Sequence, residues 1–470
     1  MQTPIAVDHV NLVKNMEAPA ATLPDDVILE ILVRLAEEAS LFRCAATCKL
    51  WRCLIADSSF LRRRWPANSR HPSSLVGFLA NKCHIHQGIM GLPMGPAAAQ
   101  TFVPVPGPQP VFGRGCRSLG SLLPQAGTLF DRVTPLASHG GLLLVRFVPT
   151  HHASRPTVVH LAMCNLLAGT CEALPPLEYK SCDNNDRLDG FGVLTGADFC
   201  STRPPLPGFS VLFRVLLIGA SPDGRHYHLY TFSSDEPSWS APTACLDRCL
   251  PERRTAYLLM QNDAAVQRGA AHWLCWDFSD VYDFAVDAEI GEASLAKLPF
   301  PVATRFFLAP YHARQLRVGA DGSLLFLRLH VQGLWMEIWT RQDSGTASSW
   351  LCTHLIEIEP PKADGVVDCI CFGEKSGTVL LADQNWSSSY LVNIETGRVL
   401  EEMTERFDGP ECKRALPVEI DWPAFFLSRL TGRKAVCAQP FDLERHKRPY
   451  LFSGRGLLEL ARHVKRLLRI

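Results

Sequence analysis

Residues 23–61 read LPDDVILEILVRLAEEASLFRCAATCKLWRCLIADSSFL, and their spacing decides what kind of chain this is. Pro24 suits the first turn of a helix, where its missing N–H has no intrahelical partner anyway, and Asp25 and Asp26 complement the positive end of the dipole. Val27, Ile28, Ile31, Leu32 and Leu35 then recur at helical spacing on one broad face. Ser40 is placed to cap a second helix through Leu41, Cys44, Ala45 and Cys48. A third helix carries Trp51, Leu54 and Ile55, and Asp57 caps a last turn with Phe60 and Leu61. Of these 39 residues 24 are apolar, a denser pattern than the 47% of the whole chain. Three or four short helices cannot enclose that many apolar side chains, and a unit of about forty residues is marginal alone. Its surplus apolar surface marks a contact with another protein, or else a cap buried on the rest of this chain.

Outward from this module the text changes character. Residues 1–21 lack periodicity and read as a flexible arm before a helical module at 22–65. Residues 66–127 read as a Pro/Gly-rich connector and the start of a β domain; between 91 and 125 alone, 13 of 35 residues are Gly or Pro. No long helix survives that composition. From 128 to 440 short apolar or alternating runs are punctuated by turn signals, as in Gly141–Val148, Val211–Ile218, His226–Phe232, Ser323–Leu329 and Gly377–Leu381. Strands so closely spaced, without long helical patterns between them, make an all-β domain. Residues 441–470 return to helical spacing. The stretch 445–470 carries eight Lys/Arg against one acid, Glu459. A basic amphipathic helix of this kind binds acidic surfaces or packs its apolar face on the β domain.

The β region has a weak rhythm. Trp350, Trp386 and Trp422 are each 36 residues apart, and Trp239 and Trp276 are 37 apart. Four-stranded propeller blades have periods near this size, and a β domain of about 300 residues holds about six or seven of them. Coincidence among ten tryptophans is the alternative. The fold class expected is therefore multidomain: a small all-α module followed by a large all-β domain, a β-propeller.

The chain has 470 residues, with Lys+Arg and Asp+Glu both at 47 and a formal charge of zero. That balance argues against nucleic acid as partner, because displacing counterions needs a basic surface. Polar and charged residues interrupt the first twenty positions, and no apolar run reaches the length of a membrane span. Seventeen cysteines at irregular spacing then read as reduced thiols of an intracellular protein of the cytoplasm, the nucleus or both.

Chemical motifs do not add up to a site. Cys83-His84-Ile85-His86 lacks a second ligand pair at zinc spacing. Cys369-Ile370-Cys371 alternates along an expected strand, which sends both sulfurs to one face as a buried pair of free thiols. The acidic run from Asp183 to Asp189 puts Leu188 and Leu194 where a calcium loop needs Gly and Glu. Gly113-Arg114-Gly115 lacks the strand, helix and Lys-Ser/Thr of a phosphate loop. No nucleophile elbow surrounds any Ser. No catalytic residue, metal ligand or cofactor is expected.

Leu23-Pro24-Asp25-Asp26-Val27, Ile31-Leu32, Leu35, Leu41, Arg43, Cys44, Cys48-Lys49, Trp51-Arg52, Leu54-Ile55 and Phe60 resemble the F-box consensus in order and spacing. The chain departs from it at Glu37-Glu38-Ala39, where a Pro is common, and at Thr47, where a Val is commoner. Further phrases, Ser138–Val145, Asn165–Pro176, Tyr230–Ser240, His272-Trp273 and Gly373–Leu381, resemble more loosely the F-box-associated domain of the large plant families, especially the grass type. The resemblance implies a non-catalytic substrate receptor of a Skp–cullin–F-box ubiquitin ligase. In that role Leu23, Pro24, Ile28, Ile31, Leu32, Trp51, Leu54 and Ile55 contribute to the surface that meets a Skp-type adaptor, some by contact and some by internal packing. Through the adaptor the chain would join a cullin, while the β domain holds an unknown target protein. Two alternatives stay open: an F-box module that binds a partner without delivering it for ubiquitination, and a propeller enzyme or glycan-binding protein with a helical cap.

Overall fold

In the computed structural model the chain is described over residues 24–430. Excepted are residue 36 and residues 67–68, 81–100, 107–116, 119–129, 150–157, 167–169, 180–187, 200–211, 222–224, 248–257, 260–262, 277–279, 300–313, 331–334, 345–346, 359–365, 384–387 and 404–414. The arm at 1–21, the Cys83–His86 motif and the basic tail at 441–470 lie outside the described residues, as do Asp183 and Asp186 of the acidic run.

Four helices form where the 3.6 period places them: α1 (Asp25–Val33), α2 (Glu38–Thr47), α3 (Lys49–Ile55) and α4 (Ser58–Arg64). Pro24 stands just ahead of α1, and its carbonyl accepts the N–H groups of Val27 and Ile28 at 3.1 Å each. Asp57 caps α4 as expected, its Oδ1 accepting from the Ser59 N–H at 2.8 Å. Ser40 does not cap α2. The helix starts earlier, on the Glu37 carbonyl, which accepts from the N–H groups of Ser40 and Leu41. Ser40 therefore lies within the first turn and donates its hydroxyl to Glu37 Oε2 at 3.3 Å.

The strands form six antiparallel sheets, and these are the blades of a six-bladed propeller. Blade 2 holds β4 (Phe130–His139), β5 (Leu142–Pro149), β6 (Val158–Asn165), β7 (Thr170–Ala173) and β8 (Leu177–Glu178). Blade 3 holds β9 (Gly190–Thr195), β10 (Phe213–Ala220), β11 (His226–Ser233) and β12 (Thr243–Asp247), with a single helical turn, α5 (Gly196–Phe199), after β9. Blade 4 contains β13 (Leu258–Leu259), β14 (Ala265–Gln267), β15 (Ala270–Trp276), β16 (Val281–Asp287) and β17 (Ala293–Lys297), its inner edge divided between β13 and β14. Blade 5 contains β18 (Arg314–Val318), β19 (Leu324–His330), β20 (Trp335–Ser344) and β21 (Ala347–Glu357). Blade 6 contains β22 (Val366–Gly373), β23 (Thr378–Asp383), β24 (Ser389–Asn393) and β25 (Val399–Glu402).

The two ends of the propeller sequence close blade 1. Its outer strands, β1 (Leu75–Ala80), β2 (Thr101–Pro104) and β3 (Arg117–Ser118), come from the Pro/Gly-rich stretch. Its innermost strand, β26 (Ala415–Glu419), comes from the far end and pairs with β1, Phe78 opposite Pro417. β26 touches β4 on one side and β22 on the other, so the ring is shut.

Six apolar clusters fill the six seams between neighbouring blades. On β5 the period of two sends Leu143, Val145 and Phe147 into the seam with blade 1 and Leu144 into the seam with blade 3. Both faces of such a strand are buried, which is why the strands read as continuous apolar runs. Close approach also constrains residue choice: a Cβ on Gly219 of β10 would stand 2.6 Å from the Tyr179 ring, which is fully buried against it.

Two expectations about residue placement change. Cys369 and Cys371 are both buried thiols outside any disulfide, but their sulfurs do not share a face. A bulge leaves Ile370 without a partner on β23, since Cys369 faces Leu381 and Cys371 faces Leu380. The added residue flips the alternation, so Cys369 packs between blades 5 and 6 and Cys371 between blades 6 and 1. The tryptophan rhythm is also coincidental. Trp276 ends β15, Trp350 lies in β21 and Trp422 opens a helix, three unlike positions, while Trp386 is outside the described residues.

That helix, α6 (Trp422–Leu430), falls within the stretch that reads as β. Asp421 caps it by accepting the Ala424 N–H at 3.0 Å. It leaves the propeller directly after β26 and brings Trp422, Phe425 and Phe426 against the N-terminal helices.

Candidate protein-docking site

The helical module has an attached face and a free face. On the attached face, Phe42 of α2 stacks on Phe426 at 4.1 Å between centroids and meets Phe425 edge-on at 5.3 Å. Trp65 lies 5.3 Å from Phe426 and 6.5 Å from Trp422. The Trp422 indole N–H donates to the Ser73 carbonyl at 3.2 Å, and Ser73 Oγ donates to Glu38 at 2.8 Å. The linker, the N-terminal helices and α6 are thereby tied into one apolar cluster that continues into the seam between blades 1 and 2.

α1 divides into two stripes about 100° apart. Ile28 and Leu32, four residues apart, are buried, as is Ile55 of α3. Pro24, Val27 and Ile31 form the neighbouring stripe and are exposed, Ile31 by 50%. Leu50, at the start of α3, is 45% exposed, and Trp51 and Leu54 are half-buried. Of the eight residues that the F-box resemblance marks, Ile28, Leu32 and Ile55 are thus internal packing. Pro24, Ile31, Trp51 and Leu54 reach the surface, and Leu23 lies outside the described residues. Val27 and Leu50, which that set does not name, are exposed as well. The signal for Val27 was its i, i+4 relation to Ile31, the exposed counterpart of the Ile28–Leu32 pair.

Polar contacts hold these helices at fixed angles. Arg63 of α4 bonds Glu30 of α1, which also meets Arg34 at 2.9 Å. The bond from Arg63 keeps the Glu30 carboxyl below its ordinary range. Arg64 Nη1 donates to the Val33 carbonyl at 3.0 Å, satisfying an acceptor at the end of α1. The Cys48 sulfur accepts the Trp51 N–H at 3.4 Å at the start of α3.

A second gathering of polar groups lies where the innermost strands finish. His139, at the end of β4, places Nε2 3.1 Å from Asp198 Oδ2 and Nδ1 3.8 Å from Glu374 Oε2. Gly140 and Gly141, with φ of 58° and 81°, make the tight turn that puts His139 there. Asp198 also accepts the N–H and hydroxyl of Thr195 at 2.6 and 2.8 Å. Arg317 of β18 reaches Asp263 of blade 4 at 3.0 Å, and Glu419 of β26 accepts the N–H groups of Lys375 and Ser376 at 3.0 and 2.7 Å. Burial disfavours the His139 imidazolium, but the adjacent Asp198 carboxylate outweighs burial and raises its pKa above the ordinary 6.5. Burial pushes the Glu374 carboxyl up, against the pull of His139 and Arg317. These contacts tie one blade to another. Among the described residues no group of three or more His, Cys, Asp or Glu is placed to hold a metal ion. No helix among them is long and apolar enough to cross a membrane.

The helical module has a counterpart among known families. Residues 20–65 match the F-box-like family. The chain is thus an F-box-like domain followed by a six-bladed β-propeller. F-box domains in general bind Skp-type adaptors, and the stripe of Pro24, Val27 and Ile31 lies inside the matched segment. No curated protein matches the chain. Among solved structures, TolB from Acinetobacter baumannii is similar at 11% identity and a TM-score of 0.37, over 79% of this chain and 73% of that one. A protein from Lactobacillus plantarum is similar at 9% identity and 0.38, over 70% and 82%. A chain of a nidogen/laminin complex is similar at 7% identity and 0.36, over 73% and 98%. These scores carry no argument about function.

Proposed function

We propose that this protein is a substrate-recognition subunit of a Skp–cullin–F-box ubiquitin ligase, of the plant, grass-type F-box class. The observation that carries the reading is the two-sided helical module. Its attached face is sealed by Phe42, Trp65, Trp422 and Phe426, while Pro24, Val27, Ile31 and Leu50 stay exposed within the F-box-like segment. Exposed apolar stripes of this kind are completed by a partner. The partner would be a Skp-type adaptor, with Pro24, Val27, Ile31, Leu50, Trp51 and Leu54 at the contact and Ile28, Leu32 and Ile55 holding the helices in place. The adaptor joins the chain to a cullin in the cytoplasm or nucleus.

The physical role is tethering. The propeller would hold a target protein beside the ubiquitin-conjugating enzyme and raise the local concentration of target lysines, up to about millimolar. Loops on a rigid scaffold are the natural place for target recognition. Because the domain is seated on α6 and the seam between blades 1 and 2, the target would be presented at a fixed angle. No group of this chain then performs chemistry. The test is reconstitution with adaptor, cullin and conjugating enzyme. The reading expects the protein to co-purify with the assembled ligase and a propeller-bound protein to acquire ubiquitin. A partner that binds the propeller and stays unmodified in the assembled ligase would favour a binding module that does not deliver.

The convergence of His139, Asp198 and Glu374 favours a second reading, a propeller that binds a polar ligand such as a glycan at the end of its axis. Thermal-shift titration with mono- and disaccharides tests it. A saturable rise abolished in Asp198→Asn would support it, and no rise with any sugar would leave the carboxylates as braces between blades.

A further inference from the structure

The hairpin β6–β7 places Cys164 directly opposite Cys171 in the antiparallel register, between the pairs Met163–Glu172 and Asn165–Thr170. The two sulfurs are 3.1 Å apart. Cys164 is fully buried in the apolar cluster shared by blades 1 and 2 and the F-box-like domain, and Cys171 is half-buried at its edge. Other described thiols are arranged differently. Cys369 and Cys371 are turned into separate seams by the bulge at Ile370, and Cys245 donates to the Tyr227 carbonyl at 3.3 Å.

We infer that Cys164 and Cys171 form a redox modification site, a dithiol that peroxides convert reversibly to a cross-strand disulfide. The separation needs to close only from 3.1 Å to the bond length of about 2.05 Å, between strands whose register already opposes the two residues. Exposure sets the roles: Cys171 stands at the edge of the cluster, where a peroxide reaches it, and Cys164 inside it. The bond between the two thiols holds Cys171 below its ordinary range, whereas the same bond and burial push Cys164 well above it. Cys171, the half-exposed partner, is the nucleophile. Its thiolate attacks one peroxide oxygen, the O–O bond breaks, and the other oxygen leaves as an alkoxide or hydroxide that takes up a proton. Cys171 is then a sulfenic acid. The Cys164 sulfur attacks it, the S–O bond breaks, and the sulfenic hydroxyl leaves as water, taking up the Cys164 proton. In sum two thiols and one peroxide give one disulfide, one water and one alcohol, or a second water from hydrogen peroxide. Low-molecular-weight thiols such as glutathione reverse the change by exchange. The site is independent of whether the protein serves a ubiquitin ligase.

The full-length reduced protein, treated with graded hydrogen peroxide, alkylated and digested with trypsin, tests this directly. No Lys or Arg lies between residues 164 and 171, so one tryptic peptide carries both. At low peroxide this peptide is expected to lose two hydrogens and refuse the alkylating agent, then to take two alkyl groups after reduction. The exposed Cys352, whose thiol burial pushes up, still alkylates at that dose. In Cys164→Ser the sulfenic acid at Cys171 is trapped by dimedone, and in Cys171→Ser Cys164 stays reduced. A peptide that still takes two alkyl groups at a dose that has oxidised Cys352 would overturn the inference. That comparison is made on the wild type, so it stands if either variant fails to fold.

Discussion

Phe42, in the second helix of the F-box-like domain, lies flat against Phe426 of the helix that follows the last propeller strand, with 12° between the ring planes. Almost four hundred residues separate the two in sequence, so this contact joins the second of the described helices to the last of them. It makes the F-box-like domain part of the propeller rather than a bead on a linker. Phe426 is fully buried and also meets Trp65 and Trp422. Phe426→Ala is expected to cost about 3–5 kcal/mol, the range for emptying a buried aromatic site. Guanidinium unfolding reads the loss, and limited proteolysis should cut between residues 23 and 65 faster than in the wild type. Unchanged stability and protection would refute a fixed seat.

The polar braces at the end of the axis predict a pH dependence. His139 has a folded pKa raised above 6.5, so its contribution is complete below that value and is lost as pH rises through the folded pKa. Glu374 has a folded pKa raised above 4.5, so the folded state again holds more protons and stability falls as pH rises through that range. Asp198 is the opposite case. Burial works against its carboxylate but His139 prevails and lowers its pKa below 3.8, so its contribution is present above 3.8 and lost as pH falls through the folded value. The melting temperature should therefore decline on the alkaline side of 6.5, and His139→Gln should flatten that decline. An identical slope in the variant would remove His139 from the account.

Gly219→Ala should destabilise the seam between blades 2 and 3. The added methyl would sit 2.6 Å from the buried Tyr179 ring, whose hydroxyl donates to the Ala220 carbonyl at 3.3 Å. Overpacking of this kind costs about 1–3 kcal/mol. Chemical denaturation measures it, and Gly219→Ala in a Tyr179→Ala background should recover part of the loss relative to Tyr179→Ala alone.

The cap at Asp57 offers a smaller effect within the F-box-like domain. Asp57→Ala removes the acceptor of the Ser59 N–H and should cost about 0.5–2 kcal/mol. Asp57→Asn should keep most of it. Equal losses for the two substitutions would show that the side-chain hydrogen bond is not what Asp57 contributes.

How much of this was legible follows from the range of the interactions involved. Helices α1 to α4 are local: their apolar spacing and the Asp57 cap lie within a few residues, so the pattern alone locates them. Ser40 is ambiguous by sequence because a good capping residue also fits a first turn, and only the Glu37 carbonyl decides which it is. Strands such as β5, β10, β11, β19 and β23 were found from their apolar runs, for the same local reason. Length narrows the blade count to six or seven; that it is six depends on β26 joining β1 across more than 300 residues, a pairing no local pattern announces. Cys369 and Cys371 went to different seams because a bulge depends on the partner strand's register. Helix α6 carried a usable signal, Asp421 followed by Pro423 and then Phe425 and Phe426, but the strand-like text around it hid the change of period. On the docking face, the difference between Val27 and Ile28 is one of 100° about a helix axis, and only the position of α3 and α4 says which stripe is covered.

The central claim is that the exposed stripe of the F-box-like domain is an adaptor-binding surface. Its most direct test is co-expression with a Skp-type adaptor and size exclusion of the wild type beside Val27→Asp/Ile31→Asp. Both substituted residues are exposed, so the variant's melting temperature is expected to stay near that of the wild type. The account predicts a co-eluting complex with the wild type, and free adaptor beside a folded variant. A wild type that is folded and monodisperse but never shifts the adaptor, or a variant that binds it as well as the wild type, would contradict the claim.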